Sequence, residues 1–262
     1  SVVALALAGG GGRCGEEPWE WQLVWRDEFE GPAGQSPDPG RWRFDVGTDW
    51  GNAQLEYDTA RPENVSLDGA GYLAITAREE SYLEQYEYKS GRINTRGRFD
   101  HEYLRFEARI SLPDRQGICP PFWMLGADFG TVDWPGCGEI DVMEYRGQEP
   151  SIVHGSLHGP GYAGGNALTR SYTLAGDRFD AGFHVFTVQW DTSRITWYVD
   201  DVPYLAVTKS DLPPDTEWVF DHPFFILLNV AVGGTFVGSP DSTTVFPQTM
   251  VVDWVRVYRR DG

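Results

Sequence analysis

The chain carries 31 glycines and 17 prolines, spread along its whole 262-residue length. Proline removes a backbone donor and glycine raises the entropy cost of a helix, so few windows can support a long one. What the punctuation leaves is a series of short β-rich runs. Trp21-Gln22-Leu23-Val24-Trp25 alternates at period two, and Tyr72 to Ala77 does so after the Asp68-Gly69-Ala70-Gly71 turn. Tyr103 to Ile110 and Val185 to Trp190 follow, and Arg194 to Val199 continues from the Asp191-Thr192-Ser193 turn as a hairpin. Phe224 to Val232 is nearly all apolar, as expected of a strand buried on both faces, and Met250 to Tyr258 closes the chain. Many short strands divided by turns predict an all-β sandwich or barrel.

No fixed-period repeat or internal linker divides the chain, so one domain is expected over residues 18–262, preceded by a flexible leader at 1–17. The leader holds a seven-residue apolar run, Val2 to Ala8, and then Gly9 to Gly12. The run is too short to span a bilayer. It reads either as the tail of a secretory signal or as an unstructured leader. Acidic residues outnumber basic ones by 39 to 21, for a net charge of −18. Nucleic acid and anionic membrane surfaces are therefore poor partners. A chain of this size buries a sufficient core without a disulfide scaffold. No CxxC pair occurs among Cys14, Cys119 and Cys137, so metal-ligand spacing is absent. Cys119 and Cys137 are either a single bridge or two buried thiols. No GxGxxG or GxxxxGK[ST] run is present, and no organic cofactor is expected.

The densest chemistry is Glu139-Ile140-Asp141-Val142-Met143-Glu144, with three carboxylates in six strand-like residues. An edge strand with a solvated acidic face is one reading. Like charges crowded on one face repel, however, so stability alone rarely selects them. In a regular strand residues 139, 141 and 143 share a face and Glu144 points away. One β-bulge between Asp141 and Glu144 returns Glu144 to the face of Glu139. Two glutamates leaning toward a substrate between them can then approach the roughly 5–5.5 Å separation of a retaining glycosidase pair, with Asp141 helping to hold them in opposite protonation states.

The run resembles the signature of glycoside hydrolase family 16 in the bulged form shared by laminarinases, agarases and κ-carrageenases. Lichenases are similar to a shorter, unbulged version. The resemblance extends to Trp25-Arg26-Asp27-Glu28-Phe29, Trp50 to Tyr57, Ser90 to Thr95, Phe122-Trp123-Met124-Leu125-Gly126, Asn229 to Gly234 and Val252 to Tyr258. These segments occur in the family's order and cover nearly everything from residue 20 onward, with bacterial laminarinases as the nearest subgroup. The resemblance implies a jelly-roll β-sandwich of two curved antiparallel sheets, with glycan lying across the concave one. It implies Glu139 as nucleophile, Glu144 as general acid/base and Asp141 as the residue that tunes the nucleophile. The partner implied is a β-1,3-glucan of laminarin type, with mixed β-1,3/1,4 linkage left open, cut internally by a secreted, monomeric hydrolase. A galactan-cutting relative (agarase or carrageenase) and a non-catalytic glucan-binding lectin remain alternatives.

For binding, Trp123 and Trp134 flank the acidic strand as candidate stacking platforms, whereas Trp21, Trp25, Trp42, Trp190 and Trp197 are expected in the core. Asn52 and Arg92 resemble the family's polar substrate contacts. His158 resembles its histidine near the reaction centre, while His154 reads as a satisfied structural ring. A structural Ca²⁺ is implied by resemblance alone, through the carbonyls of Glu28 and Gly71 and the carboxylate of Asp253; such oxygen ligands suit the ion. The chain departs from the family at Cys119-Pro120-Pro121, where relatives show Trp-Pro, which puts a rim contact in doubt.

Overall fold

The computed structural model of the protein describes residues 20–260; the leader at 1–17 and Cys14 lie outside the described residues. The principal strands are β1 (Trp21–Asp27), β2 (Leu73–Tyr82), β3 (Arg92–Asn94), β4 (Arg105–Ser111), β5 (Phe122–Gly126), β6 (Glu139–Tyr145) and β7 (Ile152–His158). They continue as β8 (Leu168–Thr173), β9 (His184–Trp190), β10 (Arg194–Val199), β11 (Val202–Thr208), β12 (Phe224–Asn229) and β13 (Gln248–Arg260). Helix is confined, among the described residues, to two single 3₁₀ turns, Gly164–Asn166 and Lys209–Asp211. The glycine and proline punctuation predicts this scarcity.

Two sheets stack as a jelly-roll sandwich. One has the order β8–β7–β6–β5–β12–β3 and carries the acidic strand near its middle. The other runs β11–β10–β9–β4–β13–β2, with β1 also on β13. The pairings among these strands are antiparallel. Between the sheets lies one core, in which Phe122, Met124, Ile140, Val142 and Ile226 face Phe106, Ile110, Val188, Trp197 and Val255. The alternate residues of β5 and β12 point the other way. Trp123, Leu125, Phe225 and Leu227 form a second apolar cluster, on the face away from that core. This explains why Phe224 to Val232 reads as apolar throughout: one set fills the sandwich and the other floors the cleft.

Trp42, Trp190 and Trp197 are buried as expected. Trp25 only borders the core. Trp21 does not enter it; it is partly exposed, with the Arg105 guanidinium above its ring. Cys119 and Cys137 are free, buried thiols in separate apolar clusters, so the bridge does not form.

The register around Asp253 bears on the expected ion site. β2 covers residues 248–252 of β13 and β1 covers 255–260, which leaves Asp253 between them. Toward β4 the register also slips between Val252 and Trp254. Glu28 follows the end of β1 and Gly71 precedes the start of β2, so both flank this gap.

Candidate active site

Strand β6 contains the bulge. Against β7, Asp141 pairs with Ser156 and Glu144 with His154, so three steps on β6 match two on its neighbour. Against β5, Met143 pairs with Phe122 and Asp141 with Trp123, which locates the extra residue at the same place. The side chains follow. Ile140, Val142, Met143 and Tyr145 all enter the core, two of them consecutive, while Glu139, Asp141 and Glu144 line the cleft. Burying four such apolar groups contributes about 1.5–3 kcal/mol each, which offsets the repulsion of three acids on the opposite face.

The acids occupy a concavity of about 540 Å³. Burial is the main cause that raises the pKa of Glu139, and the charge of Asp141 adds to it while His158 opposes it. Asp141 is held well above the usual carboxylate range by burial and then by the charge of Glu144. Glu144 is raised by burial, against His158 and a hydrogen bond from Ser156. Three crowded carboxyls in low dielectric resist ionising together, so the cluster keeps its protons to higher pH than free carboxyls do. Glu139 and Asp141 share a hydrogen bond that requires one of them.

His158 organises the same cluster from β7. Its Nδ1 accepts from the Gly164 amide at 3.0 Å, which leaves the neutral ring's proton on Nε2. Nε2 lies 2.8 Å from Asp141 Oδ2 and 3.8 Å from Glu139 Oε1. On the other side, Ser156 Oγ donates to Glu144 Oε2 at 3.1 Å and receives a hydrogen bond from Thr169 Oγ1 at 2.9 Å. Among the described residues, Glu139, Asp141 and His158 are also the one group spaced to grip a cation. His154 is not a satisfied ring: its Nε2 is buried without a hydrogen-bond partner, 3.9 Å from Glu149 Oε2.

The aromatic and polar candidates gather around these acids. Trp134 is 43% exposed, with its ring centroid 6.0 Å from that of His158. Trp123 donates from Nε1 to Asn229 Oδ1 at 2.8 Å, leaving a ring face beside the acids. Asn52 lines the cleft in a left-handed conformation, φ 56°, and its carbonyl accepts from the Thr235 amide. Arg92 is more confined than a free substrate contact. Its guanidinium sits 4.7 Å from the Trp50 ring centroid and 4.8 Å from that of Trp123, and Nε donates to Asp45 at 3.0 Å. It therefore fixes two aromatic platforms as well as presenting charge to the cleft.

Sequence reasoning passed over several members of this wall. Trp50, whose Nε1 donates to Asp58 at 2.8 Å, has no signal of its own within the Trp50 to Tyr57 segment. Behind it, burial pushes Glu56 up to about 7. Phe236 lies across the cleft near Cys119 and Pro121, where the family's rim residue is replaced. Its place comes from a loop with no periodic signal.

At the expected ion site, the Glu28 carboxylate accepts from Arg256 at 2.9 and 2.8 Å, so that carboxylate is already engaged. Asp253 Oδ2 receives a hydrogen bond from Arg109, so a cation would share that carboxylate.

A family model for glycosyl hydrolases family 16 matches residues 52–256. The chain is 41% identical over 248 residues to a beta-glucanase of Rhodothermus marinus, covering 91% of this chain and 85% of that protein. Its structure is similar to the laminarinase catalytic domain of Thermotoga maritima, with TM-score 0.87 and 44% identity, over 93% of this chain and 100% of that one. The endo-beta-1,3-glucanase of Pyrococcus furiosus matches equally well, with TM-score 0.87 and 44% identity, over 92% and 95% of the two chains.

Proposed function

The chain belongs to glycosyl hydrolase family 16, and on that premise we propose that it is a retaining endo-1,3-β-glucanase acting on laminarin-type glucans. The observation that carries this reading is the bulge in β6, which turns Glu139, Asp141 and Glu144 into one cleft between aromatic walls.

In the first step an ionised Glu139 attacks the anomeric carbon, with the shared proton residing on Asp141. The glycosidic C–O bond breaks and its oxygen takes the proton of Glu144. In the second step water attacks the glycosyl-enzyme, Glu144 accepts its proton and Glu139 is released as carboxylate. Raised pKa values suit this division: burial keeps the proton on Glu144 to higher pH than on a free carboxyl, and the Glu139–Asp141 proton can reside on either partner. Trp123 and Trp134 offer apolar faces to sugar rings, and Arg92 keeps Trp123 and Trp50 in place.

A lectin has no use for three crowded acids beside a histidine, one buried and two partly so, whose crowding costs stability. A sulfated galactan is disfavoured by the cleft's own charge: even with two of Glu139, Asp141 and Glu144 protonated, Asp45, Asp49 and the remaining carboxylate outnumber Arg92 and Arg96. The test is hydrolysis of laminarin, lichenan, agarose and κ-carrageenan in parallel. Laminarin should be cut internally and fastest, with the first product appearing as the β-anomer by NMR. Cleavage of a galactan with laminarin left intact would reject the substrate, and an inverted first product would reject the mechanism.

The same reading makes the protein a secreted monomer, since a polymer of this kind is met outside the cell and −18 favours a dispersed solute. It also includes one Ca²⁺ held by the Glu28 and Gly71 carbonyls and by Asp253, where it would tie the ends of β1 and β2 to β13. At 100 times its dissociation constant a ligand adds about 2.7 kcal/mol, and one kcal/mol is worth roughly 2–4 °C for a domain of this size. Millimolar CaCl₂ after EDTA treatment should therefore raise Tm by about 5 °C or more, and Asp253→Asn should cancel the increment. An equal response in both proteins would place the ion elsewhere.

A further inference from the structure

Trp197 lies on β10, in the sheet opposite the catalytic strand, and is fully buried. Its indole Nε1 donates to the main-chain oxygen of Asp141 at 2.8 Å. That carbonyl belongs to the last residue of β6 in register with β7 before the bulge; the next paired residue is Glu144. A bulge takes residues out of the regular ladder, and a backbone group buried there needs a partner from elsewhere. Here the partner crosses the whole core.

The passage it uses is equally specific. Gly155 stands on β7 between Ser156, opposite Asp141, and His154, opposite Glu144, so it faces the extra residues of the bulge. A Cβ at Gly155 would sit 2.7 Å from Trp197 Cδ1 and 2.5 Å from Tyr204 Oη. The glycine is not in a left-handed conformation, so the reason for it is space, not backbone freedom. One residue thus opens the gap through which the indole reaches the bulge.

We propose that Trp197 is a positioning residue for catalysis: by holding the Asp141 carbonyl from the far sheet it sets the phase of the bulge, and with it the placement of Glu144 relative to Glu139. Gly155 is the steric condition for that contact. Neither residue meets substrate. The inference rests on the assignment of Glu139 and Glu144 as the catalytic pair, and it goes beyond that assignment by naming what spaces them.

The deciding variant replaces Trp197 with benzothienylalanine, which keeps the bicyclic shape and loses only the N–H. A misplacement on the scale of 1 Å can cost about 10²-fold. We expect kcat on laminarin to fall by roughly 10- to 100-fold, with KM within about twofold of wild type. The alkaline limb of the kcat profile should also move, because the surroundings of Glu144 change. Gly155→Ala, which keeps the indole but displaces it, should reproduce the kcat loss. A benzothienylalanine protein with kcat within twofold of wild type, whatever its Tm, makes Trp197 a packing residue and overturns the proposal; so does a loss confined to KM. Wild-type protein is assayed alongside. If it fails on laminarin, the functional reading falls, whereas a normal wild type with an unimpaired variant rejects only the role of Trp197.

Discussion

Glu139→Gln should lower kcat on laminarin by about 10⁴-fold while KM changes little, since the variant keeps the shape of the site and loses the nucleophile. That loss corresponds to about 5.5 kcal/mol of transition-state stabilisation. Chemical rescue identifies the role more sharply than the loss does. In Glu139→Ala the space left beneath the anomeric carbon admits azide, which can attack from the face the carboxylate used. The glycosidic bond breaks, Glu144 still protonates the departing oxygen, and the product is an α-glycosyl azide that no enzyme carboxylate displaces. Turnover of Glu139→Gln within tenfold of wild type, or a β-azide from Glu139→Ala, removes Glu139 from the nucleophile's position. The environment supports the assignment. Asp141, hydrogen-bonded to Glu139 and 2.8 Å from His158 Nε2, can carry the proton that leaves Glu139 ionised.

The acidic strand shows what residue order reveals and what it leaves hidden. Period-two alternation fails at Val142-Met143, two apolar residues in a row between acids, and that failure alone requires a bulge if Glu144 is to share a face with Glu139. The structure puts both Val142 and Met143 in the core, as the pattern demands. The all-β class was legible for a similar reason, because glycine, proline and short alternating runs leave no other economical fold. Contacts made across the sandwich were not legible. Trp197 and Trp42 look alike in sequence, both apolar payloads near strands, yet only one sends an indole N–H to the catalytic strand. In sequence Arg92 resembles a polar substrate contact, and only the meeting of β3, β5 and the Trp50 loop shows it clamped between two indoles. Cys119 and Cys137 could not be paired or separated by spacing. Their fates depend on which face of β5 and its neighbours each one joins. Long-range juxtaposition of this kind has no local periodicity to betray it.

Glu144→Ala should lower kcat on laminarin by roughly 10³-fold, within the 10²–10⁴ range of a lost general acid or base. The size of the defect should depend on the leaving group, which distinguishes this position from Glu139. A glucoside of an acidic phenol departs without protonation, so the first step should recover most of its rate in the variant while the second, which needs a base for water, stays slow. The glycosyl-enzyme should then accumulate, visible as a burst of phenol. Azide needs no base, and it should discharge that intermediate as a β-glycosyl azide, the opposite anomer from the Glu139→Ala product. The pH dependence follows from sign. Burial raises the pKa of Glu144, so wild-type protein retains the acid form below that raised value and loses activity as pH rises through it. With no carboxyl at 144 the alkaline limb should disappear for both substrates. Ser156 Oγ, which stabilises the ionised form at 3.1 Å, works against the rise. Removing it in Ser156→Ala should therefore extend the wild-type limb to higher pH. An alkaline limb that persists unchanged in Glu144→Ala would assign the acid to another residue.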